Sequence, residues 1–396
     1  MDPSLEAAGA PFRASQSCFA RKALGLPSWQ TRSARCASPW RARSRKSFFA
    51  LATALVVVGW AGDTQPPPPS AEPARLAAQS LLIAITAAGE RLVAVGDRGI
   101  IVLSDDRAAS WVQAAAVPTQ ALLTGVCFLD AQHGVAVGHD EVILATADGG
   151  RSWQRTHYAP EAQRPLLDVW CGAGNRVIAV GAYSTYLTSA DGGVTWRDVR
   201  FRPAPRPRAP VPRRAAATAP AADPGGGEAG AAGGGYHLNR IVSGAGARLY
   251  IAAEAGHLYR SDDSGASWQE LASPYEGSFF DVLPLSDGAV LALGLRGNLY
   301  RSEDAGASWQ KIATGTEEML DGGASLAGAG VAIVGLSGVV LISRDGGRTF
   351  TRVQQSDRSG LSAALSVGDE RLAAVGEHGA QVIALANAAV GAGTAH

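Results

Sequence analysis

Six aspartates recur at an almost constant interval along the chain: Asp106, Asp148, Asp191, Asp263, Asp304 and Asp345. Regularly placed carboxylates would suit calcium, but that ion takes about six to eight oxygen ligands. Each aspartate here stands among hydroxyls, with too few carboxylates for such a site. The seven histidines are scattered, with no His-x-x-x-His or Cys-x-x-Cys spacing to hold a transition metal. No Gly-x-Ser-x-Gly elbow presents a nucleophile. The Gly-x-x-Gly turns recur from repeat to repeat, so they read as hairpin chemistry rather than phosphate loops. The residues therefore predict no catalytic group, no metal and no cofactor.

Each aspartate belongs to a longer motif. The first copy is Ser104-x-Asp106-x-Ala108-x-Ser110-Trp111 and the second Thr146-x-Asp148-x-Gly150-x-Ser152-Trp153. The motif returns around Asp191 with Trp196, Asp263 with Trp268, Asp304 with Trp309, and Asp345 with Phe350. Successive copies are 42, 43, 72, 41 and 41 residues apart, so the long step carries an insertion of about 30 residues. An aspartate can accept N–H bonds within its own turn, glycine permits positive φ, and the Trp buries a ring beside the turn. The motif thus reads as a structural hairpin staple. Ala108 replaces the glycine in the first copy, which predicts that turn to be the least regular.

Upstream of every copy lies an apolar strand, a tight turn and another strand, as in Leu92 to Gly99. Leu372 to Gly379 supplies a seventh such piece without the aspartate motif. Seven units over residues 75–396, less the insertion, average about 42 residues, the size of a four-stranded propeller blade. The expected fold is all-β, a seven-bladed β-propeller of four-stranded antiparallel blades. The last unit lacks a fourth strand, and Arg75–Gln79 resembles the segment that precedes it, Arg352 to Gln355. An N-terminal strand is therefore expected to close the last blade, which would remove its exposed edge.

The chain carries 35 basic and 35 acidic residues, but nine Lys/Arg against Asp2 and Glu6 fall within residues 1–46. The remainder is mildly acidic, which argues against nucleic acid as a partner. Arg41 to Lys46 precede the apolar run Phe48 to Trp60 and then small residues, the pattern of a secretory signal or short anchor over residues 1–62. Export to a periplasm, membrane-peripheral at most, follows as an expectation. Residues 63–74, with four consecutive prolines, read as a stiff linker. Cys127 and Cys171 fall in equivalent strands of neighbouring repeats. Export would permit a disulfide between them, but two buried free thiols are the favoured reading.

The six boxes resemble the Asp-box, or bacterial neuraminidase repeat, and residues 75–396 resemble the seven-bladed family of photosystem II assembly and stability factors. The resemblance implies an exported, non-enzymatic propeller; photosynthetic members hold an early reaction-centre subunit, which would place such a protein in a thylakoid lumen. It implies a membrane protein, or an extramembrane segment of one, as partner of a monomer. The alternatives are a periplasmic accessory of a membrane transporter, and a sialidase-like glycosidase or glycan-binding protein. The sialidase Arg-Ile-Pro motif is missing, and Tyr259-Arg260 and Tyr300-Arg301 are duplicated repeat positions.

Function must then lie in loops, because the blades share a framework. Propeller geometry places the second-to-third strand turns on one face with the connections between blades, and the Asp-box turns on the opposite rim. That first face is expected to present Arg98, His139, Tyr183, Arg296 and His378, with Asp140, Glu254 and Glu377. The insertion at 202–235 joins it, expected to be disordered and to offer Arg206, Arg208, Arg213 and Arg214 to an acidic protein segment or anionic lipid heads.

Overall fold

The computed structural model describes residues 69–206, 235–368 and 370–385; the leader, Arg208, Arg213 and Arg214 lie outside the described residues. The described chain forms seven antiparallel sheets whose strands run from innermost to outermost in sequence order. The blades span 82–113, 123–157, 166–198, 238–270, 279–312, 320–354 and 361–384. Their innermost strands are Leu82–Ala88, Leu123–Phe128, Leu166–Gly172, Leu238–Ser243, Phe279–Pro284, Leu320–Ser325 and Leu361–Ser366. Each packs beside the next, and the last packs beside the first, which closes the ring. The all-β, seven-bladed architecture is as expected. Among the described residues, no helix is long and apolar enough to cross a membrane.

Second strands such as Gly134–Gly138 and Val290–Gly294 are buried along their whole length. A blade has neighbours on both faces, so these strands read as continuous apolar runs rather than alternations. Outer strands are short and open, as at Val112–Gln113 and Arg197–Asp198. Brevity leaves little unpaired backbone for another chain to template on.

The seventh blade differs from the expectation in one detail. Among the described residues it has three strands, and Ala77–Gln79 forms a 3₁₀ turn instead of a fourth strand. The turn still lies at the expected place, because a side chain on Gly379 would collide with the Ala78 carbonyl. Alanines and Gln are weak strand formers, and the chain leaves toward blade 1, where Ala71 donates to the Val117 carbonyl at 2.9 Å. Closure is by packing: Ala77, Leu82 and Ile85 share one core with Ala363, Val367 and Val375.

A second correction concerns the cysteines. Cys127 and Cys171 form a disulfide with Cα atoms 5.6 Å apart. Both lie near the ends of innermost strands of blades 2 and 3, where the one-residue offset turns the side chains into a common seam. The free-thiol reading weighed burial, but both residues are only half-buried.

The six Asp-box turns share one hydrogen-bond pattern. In the fifth, the Ser302 hydroxyl donates to Asp304 Oδ1 at 2.8 Å and accepts the Gly306 N–H at 2.7 Å. Asp304 Oδ1 also accepts the Ser308 N–H at 2.8 Å, and Oδ2 the Ser308 hydroxyl at 2.5 Å. The first turn keeps the same bonds, contrary to expectation, with Ala108 at φ 67°. In three other boxes the glycine sits against the second strand of the preceding blade: a Cβ on Gly193 would press on Val135, one on Gly265 on Ile178 and one on Gly347 on Leu291. Around the ring the equivalent neighbour of Ala108 is Ala373, in the same core cluster. Trp153 and Trp196 close their own turns by donating to Gly150 and Gly193 carbonyls at 2.9 and 3.0 Å.

These bonds hold the box carboxylates down. The Ser110 hydroxyl and N–H lower Asp106 to about 2, and the Thr195 hydroxyl and N–H do the same for Asp191. A depressed folded pKa contributes stability that is present above the ordinary carboxylate range and lost as pH falls toward about 2. The expected result for Asp304→Ala is a loss of about 1–2 kcal/mol, comparable to removing a helix cap, measured by urea unfolding at neutral pH. An unchanged midpoint would refute the staple role.

Candidate partner-binding face

The second-to-third strand turns emerge on one face, and those of the first six blades share an unusual backbone. In Asp97–Gly99 the middle residue Arg98 has φ 50°, and Asp140, Tyr183, Arg296 and Ser337 repeat it at 60°, 54°, 54° and 56°. Left-handed backbone in a non-glycine residue is disfavoured, so the flanking structure imposes it. The closing glycine explains how: a Cβ on Gly99 or Gly297 would strike the carbonyl of Thr119 or Thr316 on the following connection. The turn is clamped between that connection and its own blade, and its middle side chain is pushed outward. The Arg98 side chain is 83% exposed, with Asp97 at 3.6 Å. Tyr183 is 50% exposed. His139, Arg296, Glu377 and His378 are also exposed.

These residues do not converge on one point. His378 is tied down, its Nδ1 in a short hydrogen bond with the buried Ser359 hydroxyl, while Glu377 accepts the Gly360 N–H at 3.0 Å. Tyr183 belongs to a cluster at the root of the insertion. Its ring meets His237 edge-on at 5.1 Å, and Glu254 accepts the His237 N–H at 2.9 Å. Tyr236 lies 3.9 Å from the His257 ring, and Glu270 contacts both His257 and Arg206 at 3.1 Å. The start of the insertion departs from the expected disorder: Ala204 donates to the Trp268 carbonyl at 2.7 Å, and Glu270 donates back to Ala204 at 2.9 Å. Arg202 to Arg206 therefore run beside the outer strand of blade 4, and Phe201 packs on Tyr186, Tyr259 and Trp268. Of the four predicted insertion arginines, Arg206 is thus placed on this face.

Two groups escaped the sequence reading. Glu141, at the end of a blade 2 turn, is 1% exposed yet carries a carboxylate. Arg164 binds it at 2.5 Å and His157 at 3.2 Å, and Arg164 also reaches Asp198 at 3.1 Å. Only the neighbouring connection reveals why an acid can be buried there. The other group is a set of charges on innermost strands, namely Asp168, Arg240, Asp281 and Asp321. Among the described residues, no group of three or more His, Cys, Asp or Glu could hold a metal ion.

Comparison with known proteins agrees with this picture. The family profile described as photosynthesis system II assembly factor YCF48 matches residues 86–221. A solved structure of YCF48 bound to D1 peptide superposes with a TM-score of 0.59 at 15% identity, covering 80% of this chain and 96% of that one. YCF48 from Cyanidioschyzon merolae gives 0.59 at 15% identity, covering 77% and 95%. A streptogramin B lyase also gives 0.59, at 12% identity and covering 77% and 93%, so the architecture alone serves unlike functions. No curated protein matches the chain in sequence. The ring of seven sheets makes the chain a seven-bladed propeller, and over residues 86–221 it is similar to the family of photosynthesis system II assembly factor YCF48.

Proposed function

We propose that this protein is a non-catalytic, exported binding scaffold that holds a segment of a membrane protein during assembly or maintenance of a complex. The observation that carries the reading is the YCF48 profile over residues 86–221, together with a relative of the same architecture that is bound to a D1 peptide. Variable, outward-pushed side chains on a shared framework support binding rather than turnover. The Cys127–Cys171 bridge supports export, since disulfides persist in oxidising compartments.

The face around the insertion root is the proposed contact, with Tyr183, Tyr236 and Arg206 as exposed aromatic and basic groups on it. Crosslinking of the exported protein in its native cells, followed by mass spectrometry, tests the reading. A membrane-protein segment crosslinked to residues near Tyr183 or Tyr236 is the expected product. Capture of no membrane protein would overturn it, and capture of a transporter would move the scaffold to a different complex. Reversing charge at Arg206, Arg208 and Arg213 together should weaken capture about tenfold, or ~1.4 kcal/mol. Full capture by that variant would remove the arm from the interface.

A further inference from the structure

Neighbouring blades of the ring have no main-chain ladder between their innermost strands, so side chains must bridge the seams. The Thr124 hydroxyl of blade 2 donates to the Leu166 carbonyl of blade 3 at 2.8 Å, and Asn239 of blade 4 to Phe279 of blade 5 at 2.7 Å. Asp168 of blade 3 accepts the Ile241 N–H of blade 4 at 2.9 Å. Asp281 of blade 5 accepts the Gly323 N–H of blade 6 at 3.0 Å. Between these two carboxylates lies Arg240, its Nε 3.5 Å from each and without a hydrogen bond of its own. Asp321 of blade 6 adds a third carboxyl within the influence of both Asp281 and Arg240.

The charges do not balance. Three carboxyls share one guanidinium, and the side chains of Asp168 and Asp281 are only 7% and 3% exposed. Blades 7, 1 and 2 place Ser362 and Ala363, Ile83 and Ala84, and Thr124 and Gly125 at the matching positions, with no charge to help. We infer that this belt is a proton-operated junction, tight when Asp281 and Asp321 are protonated and loosened between blades 5 and 6 when both ionise. The acid form leaves one ion pair, Asp168 with Arg240, and a neutral Asp281 whose carbonyl oxygen can still accept the Gly323 N–H. The alkaline form adds two further negative charges, on buried Asp281 and half-buried Asp321, to a seam whose one guanidinium is already shared with Asp168, which a low-dielectric seam penalises.

The titration range follows from the same geometry. Burial pushes Asp281 up to about 6, against the attraction of Arg240. Burial and then repulsion from Asp281 push Asp321 up to about 7. Burial raises Asp168 as well, with Arg240 opposing. Groups whose folded pKa lies above the unfolded one bind more protons when folded, so stability falls as pH rises through this window.

Thermal melts between pH 5.5 and 8.5 test the device in the whole protein. The melting temperature of the wild type should fall by about 5 °C as pH rises, and Asp321→Asn should remove at least half of that fall. Hydrogen exchange, corrected for its intrinsic pH dependence, should accelerate selectively in Phe279–Pro284 and Leu320–Ser325 at the higher pH. That second measurement needs no variant and decides the matter even if a substitution disturbs folding. A wild-type profile that is flat or rising, an Asp321→Asn profile as steep as the wild type, or exchange that accelerates equally in blades 1 and 2 would each overturn the inference.

Discussion

Reduction of the Cys127–Cys171 bridge is expected to lower stability by about 4 kcal/mol and the melting temperature by about 10 °C. The two cysteines are 44 residues apart in sequence, so the cross-link removes substantial loop-closure freedom from the unfolded chain. In the folded state it joins innermost strands of blades 2 and 3, a seam also held by the Thr124–Leu166 hydrogen bond and by packing among Val135, Val137, Leu166 and Val169. The comparison is between melts of the oxidised protein, the same protein with reductant, and a Cys127→Ser, Cys171→Ser double variant. Reductant and variant should agree, and alkylation with mass spectrometry should count two thiols released. Equal melting with and without a verified bridge would show that the seam does not depend on the disulfide.

How far the sequence carried depended on whether a feature repeats. Six boxes at steps of 41 to 43 residues, with one insertion, defined the blades because the aspartate and leading hydroxyl of each box bond within their own turn. The outward presentation of Arg98, Tyr183 and Arg296 was legible for the same reason: the turn is local and its place in the blade recurs. Features that depend on a neighbouring blade were not legible. Ala108 looked like a defect, yet its turn keeps the bonds of the motif and the residue is buried in a core cluster it shares with Ala373, 265 residues later. His378 reads as a free surface imidazole, yet the preceding connection brings Ser359 to it. Asp168, Arg240 and Asp281 did leave a trace, each being the third residue of its innermost strand, directly after a register shift. A charge at one fixed place in an apolar strand of successive repeats is a signal worth seeking in other propellers.

Glu141→Ala should be among the most damaging single substitutions on the proposed binding face. Removing this buried carboxylate leaves Arg164 and His157 without their shared partner, and Arg164 then keeps only its exposed contact to Asp198. Losing this shared buried acceptor costs about 1–3 kcal/mol, because Arg164 and His157 are only partly buried and Arg164 keeps Asp198. Glu141→Gln retains the shape and one acceptor oxygen, so it should lose less than the alanine variant, whereas Asp198→Asn should change little. Urea unfolding separates these outcomes: a lower midpoint at unchanged slope is expected for Glu141→Ala, and a loss below about 1 kcal/mol would show the network to be ornamental. The network and the disulfide serve the same seam, one between the turn of blade 2 and the connection that follows it, the other at the far ends of the innermost strands. If that seam opens as a unit, the reduced Glu141→Ala protein should lose less stability than the sum of the separate losses. Additive losses would instead mean that the binding face can loosen while the disulfide end stays closed, which is the behaviour a scaffold needs in order to admit a partner without unfolding.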